Sequence, residues 1–370
     1  MRVRGSNGKR SSLGRRDLLK VGGAVTAVAL PSRVWAQSKR QLKFTLPWLA
    51  QGATAYTYVA LDQGMFAKRG LDVAVSRGYG SLAAAQAIAA KQFDFGLVST
   101  GSTIVCAATG MPLVALGTTN YDAYMGILLR PDSPIRTPKD LNGKKLGGVA
   151  ASVEAPFWPA FAKLAGVDLS TITHVQTDAR VLERTLIDKQ IDAAIGIAST
   201  SYAVGEGMGV KLRAMLWSEY GLNFYSNNIV TRPEVLEKDP AMCQAVTEAL
   251  LEALAFSLQD PDAALEIFLK QVPELKMSQA GREFSRLGQG FMLASVVRPE
   301  AKEHGLGYTD MEKVKGMIDL TMQYGVDPAK AKRPDPAVLF SNKFAGVIKL
   351  SPEQWATVDA KTREFPKLLG

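Results

Sequence analysis

Two cysteines and two histidines are all that 370 residues contain. So few exclude a disulfide scaffold and leave no histidine or thiolate set at metal-ligand spacing. Low-complexity runs and internal repeats are absent, which excludes solenoids and tethers. With 47% hydrophobic and 21% charged residues, and aromatics spread along the chain, the composition is not that of a disordered protein. The length exceeds what one small core organises and predicts two domains.

Acidic residues are too few to balance the basic ones: 35 against 44, a formal charge of +9. The surplus lies at one end. Residues 1–36 carry eight basic side chains and one acid, Asp17, leaving 36 basic and 34 acidic over the other 334. The basic pI therefore carries no nucleic-acid signal, and no nucleic-acid partner is expected. The segment runs from a basic start through the apolar Val21–Leu30 to Val34-Trp35-Ala36, an A-x-A-like cleavage site before Gln37. Ten apolar residues span about 15 Å as helix, half a bilayer core, too short for a lasting anchor. Gly14-Arg15-Arg16-Asp17-Leu18-Leu19-Lys20 resembles the twin-arginine export signal. The expectation is export by that machinery, with an ordinary secretory signal as the alternative, cleavage after Ala36 and a mature protein in the periplasm. No cysteine near the cleavage point offers a lipid anchor.

From Leu42 onward, apolar alternation and helical spacing take turns. Strands are predicted at 42–46, 71–75, 93–98 and 113–116, with helices at 54–68, 82–90 and through Ala108 between them. A proline-rich turn, Pro131–Pro134, precedes a second set: strands at 145–149, 172–175, 191–195 and 210–215, helices near 156–164 and 181–188. Alternation of this kind predicts parallel sheets covered by helices. Beyond Asn228 the chain reads as helical. Asp239-Pro240 and Asp260-Pro261 each combine a capping carboxylate with a pre-set φ, and Ser351-Pro352-Glu353-Gln354 is a capping-box start.

Several short stretches, in order, carry a resemblance. They are Trp48 with Tyr58-Val59-Ala60-Leu61-Asp62-Gln63-Gly64-Met65-Phe66; Gly70-Leu71-Asp72-Val73; Lys91–Gly96; Asp188–Ile195; and Tyr225-Ser226-Asn227-Asn228-Ile229-Val230. Together they resemble the periplasmic substrate-binding proteins of ABC importers, in the branch that binds the thiamine pyrimidine precursor, sulfonates, nitrate and taurine. The resemblance covers roughly 40–275. It implies an α/β, two-lobed periplasmic-binding-protein (type II) fold, each lobe a mainly parallel sheet flanked by helices, with a helical C-terminal extension. The implied division is a signal segment 1–36, lobe one from 37–128, lobe two from 129–224, and a return to lobe one with C-terminal helices over 225–370. It implies a non-enzymatic receptor that closes on a small molecule and delivers it to ABC permease subunits, without a cofactor. Where pyrimidine binders carry a histidine near the first helix, this chain has Thr54-Ala55-Tyr56.

The candidate ligand residues sit where predicted strands end, the place such sheets bind ligands. Trp48 offers an indole face for a planar ligand, or else packs in the core. Tyr56 and Tyr79 are further aromatic candidates, for a rim or for packing. Gly80-Ser81 and the turn Ser99, Thr100, Ser102 present N–H groups and hydroxyls that bind a carboxylate, sulfonate or phosphate, or cap their own helices. Ala151 and Ser152 form the matching loop of the second lobe, and Glu154 beside them accepts from an amino group or is solvated. Asn120, Tyr121, Tyr225 and Asn227 lie near the predicted crossovers as ligand contacts or hinge residues. Catalytic residues are not expected: His174 falls in a short apolar strand, His304 in a charged stretch, and Cys106 and Cys243 read as buried thiols, a disulfide between them being the alternative. The leading reading is a receptor for a planar (hetero)aromatic compound such as the thiamine pyrimidine precursor. The alternatives are a sulfonate, carboxylate or nitrate binder, a sensor partner of a receptor kinase, and a pyrimidine-precursor synthase, which the export segment opposes.

Overall fold

Ten strands follow from the alternating segments. They are β1 (Arg40–Thr45), β2 (Leu71–Ser76), β3 (Phe95–Ser99), β4 (Val114–Thr118), β5 (Met125–Leu129), β6 (Lys145–Gly148), β7 (Thr173–Gln176), β8 (Ala193–Ile197), β9 (Arg213–Leu216) and β10 (Asn227–Thr231). The computed structural model describes residues 39–369 apart from Ala151 and Ala179. The expected export signal and cleavage site lie outside the described residues, as does Ala151.

The strands make two five-stranded sheets, ordered β2-β1-β3-β10-β4 and β7-β6-β8-β5-β9. Each has four strands running one way and one against them: β10 in the first sheet and β5 in the second. Strands β3 and β5 are buried along their whole length, as expected of central strands covered on both faces, and the edge strand β4 is equally buried because Gly307 and Phe340 lie against it. This is the two-sheet architecture the alternation predicted. One boundary moves. Met125–Leu129 pairs with β8 and β9, so the chain enters the second sheet before residue 129, within the stretch expected to belong to lobe one.

The first crossing segment, 119–124, runs against the second, 217–226. Backbone bonds Thr119 N to Asn227 O (2.9 Å), Ser226 N to Asn120 O (3.0 Å) and Ala123 N to Phe224 O (3.0 Å) zip the two crossings together. The expected helix 54–68 is broken. Ala55–Asp62 is helical, then Gly64 (φ 65°) takes a left-handed turn and a short 3-10 turn, Ala67–Arg69, is closed by Gly70 (φ 73°).

The C-terminal helices begin as their caps dictate. Asp239 and Asp260 accept from the N–H groups of Met242 (2.9 Å) and Ala263 (3.1 Å), and Ser351 and Gln354 form the capping box. Pro240–Gln259 is the apolar helix of the main core, which runs without a break from Leu42 and Phe44 of the first sheet to Ile127, Leu146 and Ile195 of the second. Helix Gln279–Val296 touches both lobes. It packs on Gly52 and Ala53 after β1 and, through Phe291, on Tyr124 and Tyr202 of the second lobe. The C-terminal helices are therefore shared by the lobes instead of extending lobe one alone.

Candidate functional site

In a sheet ordered β2-β1-β3, the chain leaves β1 to one side and reaches β3 on the other. The crevice beyond the carboxyl ends of β1 and β3 is the switch point, and β6 and β8 make the equivalent crevice in the second sheet. Four segments follow these strands, and those after β1, β3 and β6 hold Trp48, Ser99, Thr100, Ser102, Ser152 and Glu154.

On the first lobe, Pro47 ends β1 and Trp48 stands 36% exposed. Trp48 O accepts from Gly78 N (2.9 Å) and Pro47 O from Gly80 N (3.0 Å), so the loops after β1 and β2 lie side by side. Gly78 is required there, because a Cβ would fall 2.1 Å from Leu46 O. Tyr79 is 74% exposed beneath the Arg77 guanidinium, 4.5 Å from its ring centre. Tyr56 is not a rim residue. It is fully buried, donates to Thr119 Oγ1 at 3.0 Å, and its phenol is pushed well above the usual value by burial.

The small polar turn after β3 serves its own fold. Ser99 N donates to Ser81 Oγ (2.6 Å), Thr100 N to Ser226 O (2.8 Å) and Ser102 N to Ser99 Oγ (3.3 Å). The Thr100 hydroxyl lies between Asn228 Nδ2 (2.8 Å) and Ser226 O (3.2 Å). Three of the N–H groups that an anion would use are thus already bonded. Gly101 packs against the second lobe, a Cβ there lying 3.3 Å from the Phe157 ring.

Among the crossover residues, Asn120 is buried with Oδ1 accepting from Thr119 Oγ1 (2.9 Å), while Asn227 lies half-buried opposite Ser99. Tyr121 and Tyr225 meet edge to face at 5.3 Å, but their hydroxyls turn to the C-terminal helices. Tyr121 donates to Tyr308 O (2.8 Å) and Tyr225 to Glu300 Oε1 (2.6 Å). Burial pushes Glu300 up most, but Lys313, Tyr225 and a backbone N–H together outweigh it and hold the carboxyl below its ordinary value. These two tyrosines tie the crossing segments to the chain around Glu300 and Tyr308.

The second lobe contributes carboxyls. Glu154, expected to be solvated or to accept from an amino group, is only 3% exposed, and its Oε2 has no partner. Sequence reasoning missed Glu183, which looks like an ordinary acid in an exposed helix. It is 8% exposed and accepts from Ser201 Oγ at 2.7 Å, in the first turn after β8. Burial raises both carboxyls; Ser152 and Ser201 work against this, and Glu183 raises Glu154 further. No basic side chain is among the groups acting on either. The only signal in the sequence was positional: Ser201 follows β8 as Ser99 to Ser102 follow β3.

His174 departs from its expected place. It lies exposed on the edge strand β7, and His304 is exposed as well. Cys106 and Cys243 are free and buried, their thiols raised by burial to about 11 and about 12. The described residues hold no cluster of three or more His, Cys, Asp or Glu suited to a metal. Around the candidate crevice the first lobe exposes Trp48 and Tyr79, and the second holds the two buried carboxyls Glu154 and Glu183.

Comparison with known proteins agrees with this architecture. The riboflavin-binding protein RibY of Chloroflexus aurantiacus is 22% identical over 78% of this chain and 82% of its own length. The formylaminopyrimidine-binding protein of Halalkalibacterium halodurans is 21% identical over 74% and 83%. A 4-amino-5-hydroxymethyl-2-methylpyrimidine phosphate synthase of Legionella pneumophila is 21% identical over 67% and 79%. Among solved structures, the periplasmic aliphatic sulphonate binding protein SsuA of Escherichia coli superposes with a TM-score of 0.64 at 17% identity, over 82% of this chain and 99% of that one, which shows the shared periplasmic-binding-protein fold. The family model described as NMT1/THI5 like matches residues 52–264, and the chain belongs to that family.

Proposed function

We propose that this protein is the extracytoplasmic solute-binding component of an ABC importer, and that its ligand is a planar nitrogen heterocycle bearing N–H donors, of the aminopyrimidine kind. The observation that carries the ligand class is the pair Glu154 and Glu183, buried beside the second-lobe crevice without a cationic partner. An N–H or a ring cation satisfies the open Glu154 Oε2 and removes the cost of a buried unpaired oxygen. Among the described residues no basic side chain acts on these two carboxyls to favour an anion beside them, and the N–H groups of Ser99, Thr100 and Ser102 opposite are already bonded. The exposed Trp48 supplies the stacking face. Binders named for riboflavin and formylaminopyrimidine among the relatives support a heterocycle, and the sulfonate-binding neighbours support the fold alone.

Trp48, Ser152, Glu154, Glu183, Ser201 and Asn227 are the residues assigned to the ligand. The proposed partners are ABC permease subunits, reached after export to the periplasm through the twin-arginine route. The synthases among the relatives would call for a reactive centre, whereas both thiols here are buried and raised and both histidines exposed. Thermal-shift titration tests this reading, since ligand at 100 Kd adds about 2.7 kcal/mol to apparent stability. Aminopyrimidines or flavins are expected to raise the melting temperature while alkanesulfonates, nitrate and benzoate leave it unchanged. A shift with the anions alone overturns the ligand class.

A further inference from the structure

Side chains alternate across β6. A Cβ on Gly147 would meet Ile191 and Leu182, which pack with the helix Leu182–Ile187, whereas one on Gly148 would face Ile195 on the opposite side of the sheet. That opposite side, covered by the helix Trp158–Ala165, is incompletely filled. A hollow of about 200 Å³ opens there at the carboxyl ends of β6 and β7, lined by Leu146, Val175, Ile195 and Trp158 and by the polar Ser152, His174 and Gln176. Glu183 belongs to the helix on the other face. One polar group of this lining has no partner, the indole N–H of Trp158, a residue only 5% exposed. The His174 ring stands edge-on to the Trp158 indole, centroids 6.3 Å apart.

We propose that this hollow is a second binding site, for a neutral single-ring aromatic molecule carrying one hydrogen-bond acceptor. Its size sets the first limit. An apolar cavity of ~150 Å³ holds benzene, whereas drug-sized ligands fill upwards of ~300 Å³. Its walls set the second: aliphatic side chains, an indole and an imidazole, with no Asp, Glu, Lys or Arg among the described residues of the lining, favour an aromatic ring over a charged guest. The Trp158 N–H sets the third: it is buried without a partner behind the wall of the hollow, and a carbonyl or phenol oxygen that reaches it through a small shift of the indole removes that cost. The hollow shares Ser152 with the residues assigned to the inter-lobe ligand, but its test does not depend on what that crevice binds.

The test is a titration of the ¹⁵N-labelled protein with acetophenone and with phenol, following the Trp158 indole N–H signal, assigned through Trp158→Phe. A saturable shift is expected with both, and none with cyclohexanol. Gly148→Val directs a side chain into the hollow from a position whose nearest neighbours to a new Cβ are 4.0 Å away. It should weaken both probes at least about tenfold and leave the melting temperature unchanged or raised. Ala155→Leu, which enters from the other side, serves as the second variant and should weaken the probes likewise. Trp48→Ala should leave the titration intact. A non-saturating response, equal binding of cyclohexanol, titrations unchanged in both filled variants, or loss of the response in Trp48→Ala each overturns the proposal.

Discussion

Glu154 and Glu183 carry the chemistry that distinguishes this chain, and their burial makes them testable without a ligand. A carboxyl raised by burial contributes stability fully present below the ordinary glutamate value of 4.5 and lost as pH rises through its folded value. Glu154→Gln removes the ionisable group, so the variant should melt higher than the parent at neutral pH and show a flatter fall in melting temperature between pH 4 and 8. A parent and variant with superimposable pH profiles would refute the burial account. At Trp48 the expectation is the reverse: Trp48→Ala should leave the melting temperature alone and weaken the heterocycle about tenfold by calorimetry, the scale of one lost aromatic stack. Position was legible for both residues, because each follows a strand end. Burial was not. A lone Glu in a loop and a Glu in an amphipathic helix look solvated until the opposing surface is known, and Tyr56, Tyr121 and Tyr225 turned out buried for the same reason.

Elements were more legible than side chains, because caps are local. Asp239 and Asp260 were read as helix starts from two residues each, and both accept the bonds that reading requires. Replacing Asp260 by Ala should cost about 1 kcal/mol in urea unfolding. Asp239→Ala should cost more, since Asp239 also pairs with Arg40. Equal losses would show the ion pair to be worth nothing. β5 was assigned to the wrong lobe because Ile127-Leu128-Leu129 fits any fully buried strand; only its partners β8 and β9 decide. The break at Gly64 was likewise hidden, because the helical spacing of Tyr58, Leu61 and Met65 continues through it.

The two sheets are held by more than the paired crossings. Gln279–Val296 lies so close to the loop after β1 that a Cβ on Gly52 would sit 1.8 Å from Ser285 O, while the same helix packs Phe291 against Tyr124 and Tyr202. Gly52→Val should therefore destabilise by about 3 kcal/mol in urea unfolding, and the variant should be larger by small-angle scattering if the helix restrains the lobes. The unmodified protein should show closely similar radii of gyration with and without ligand; a large contraction would mean that the helix moves with one lobe alone.

The same contact has a temporal side. Gly52 and Ser285 are about 230 residues apart in sequence, and contacts of such span are the ones that slow folding. On a growing chain the surface around Gly52 stays uncovered until synthesis has entered the last quarter of the chain. Refolding should then show a late phase, reported by Phe291 and its neighbours, after both sheets have formed, and the interval before it is when the chain is most exposed to misassembly.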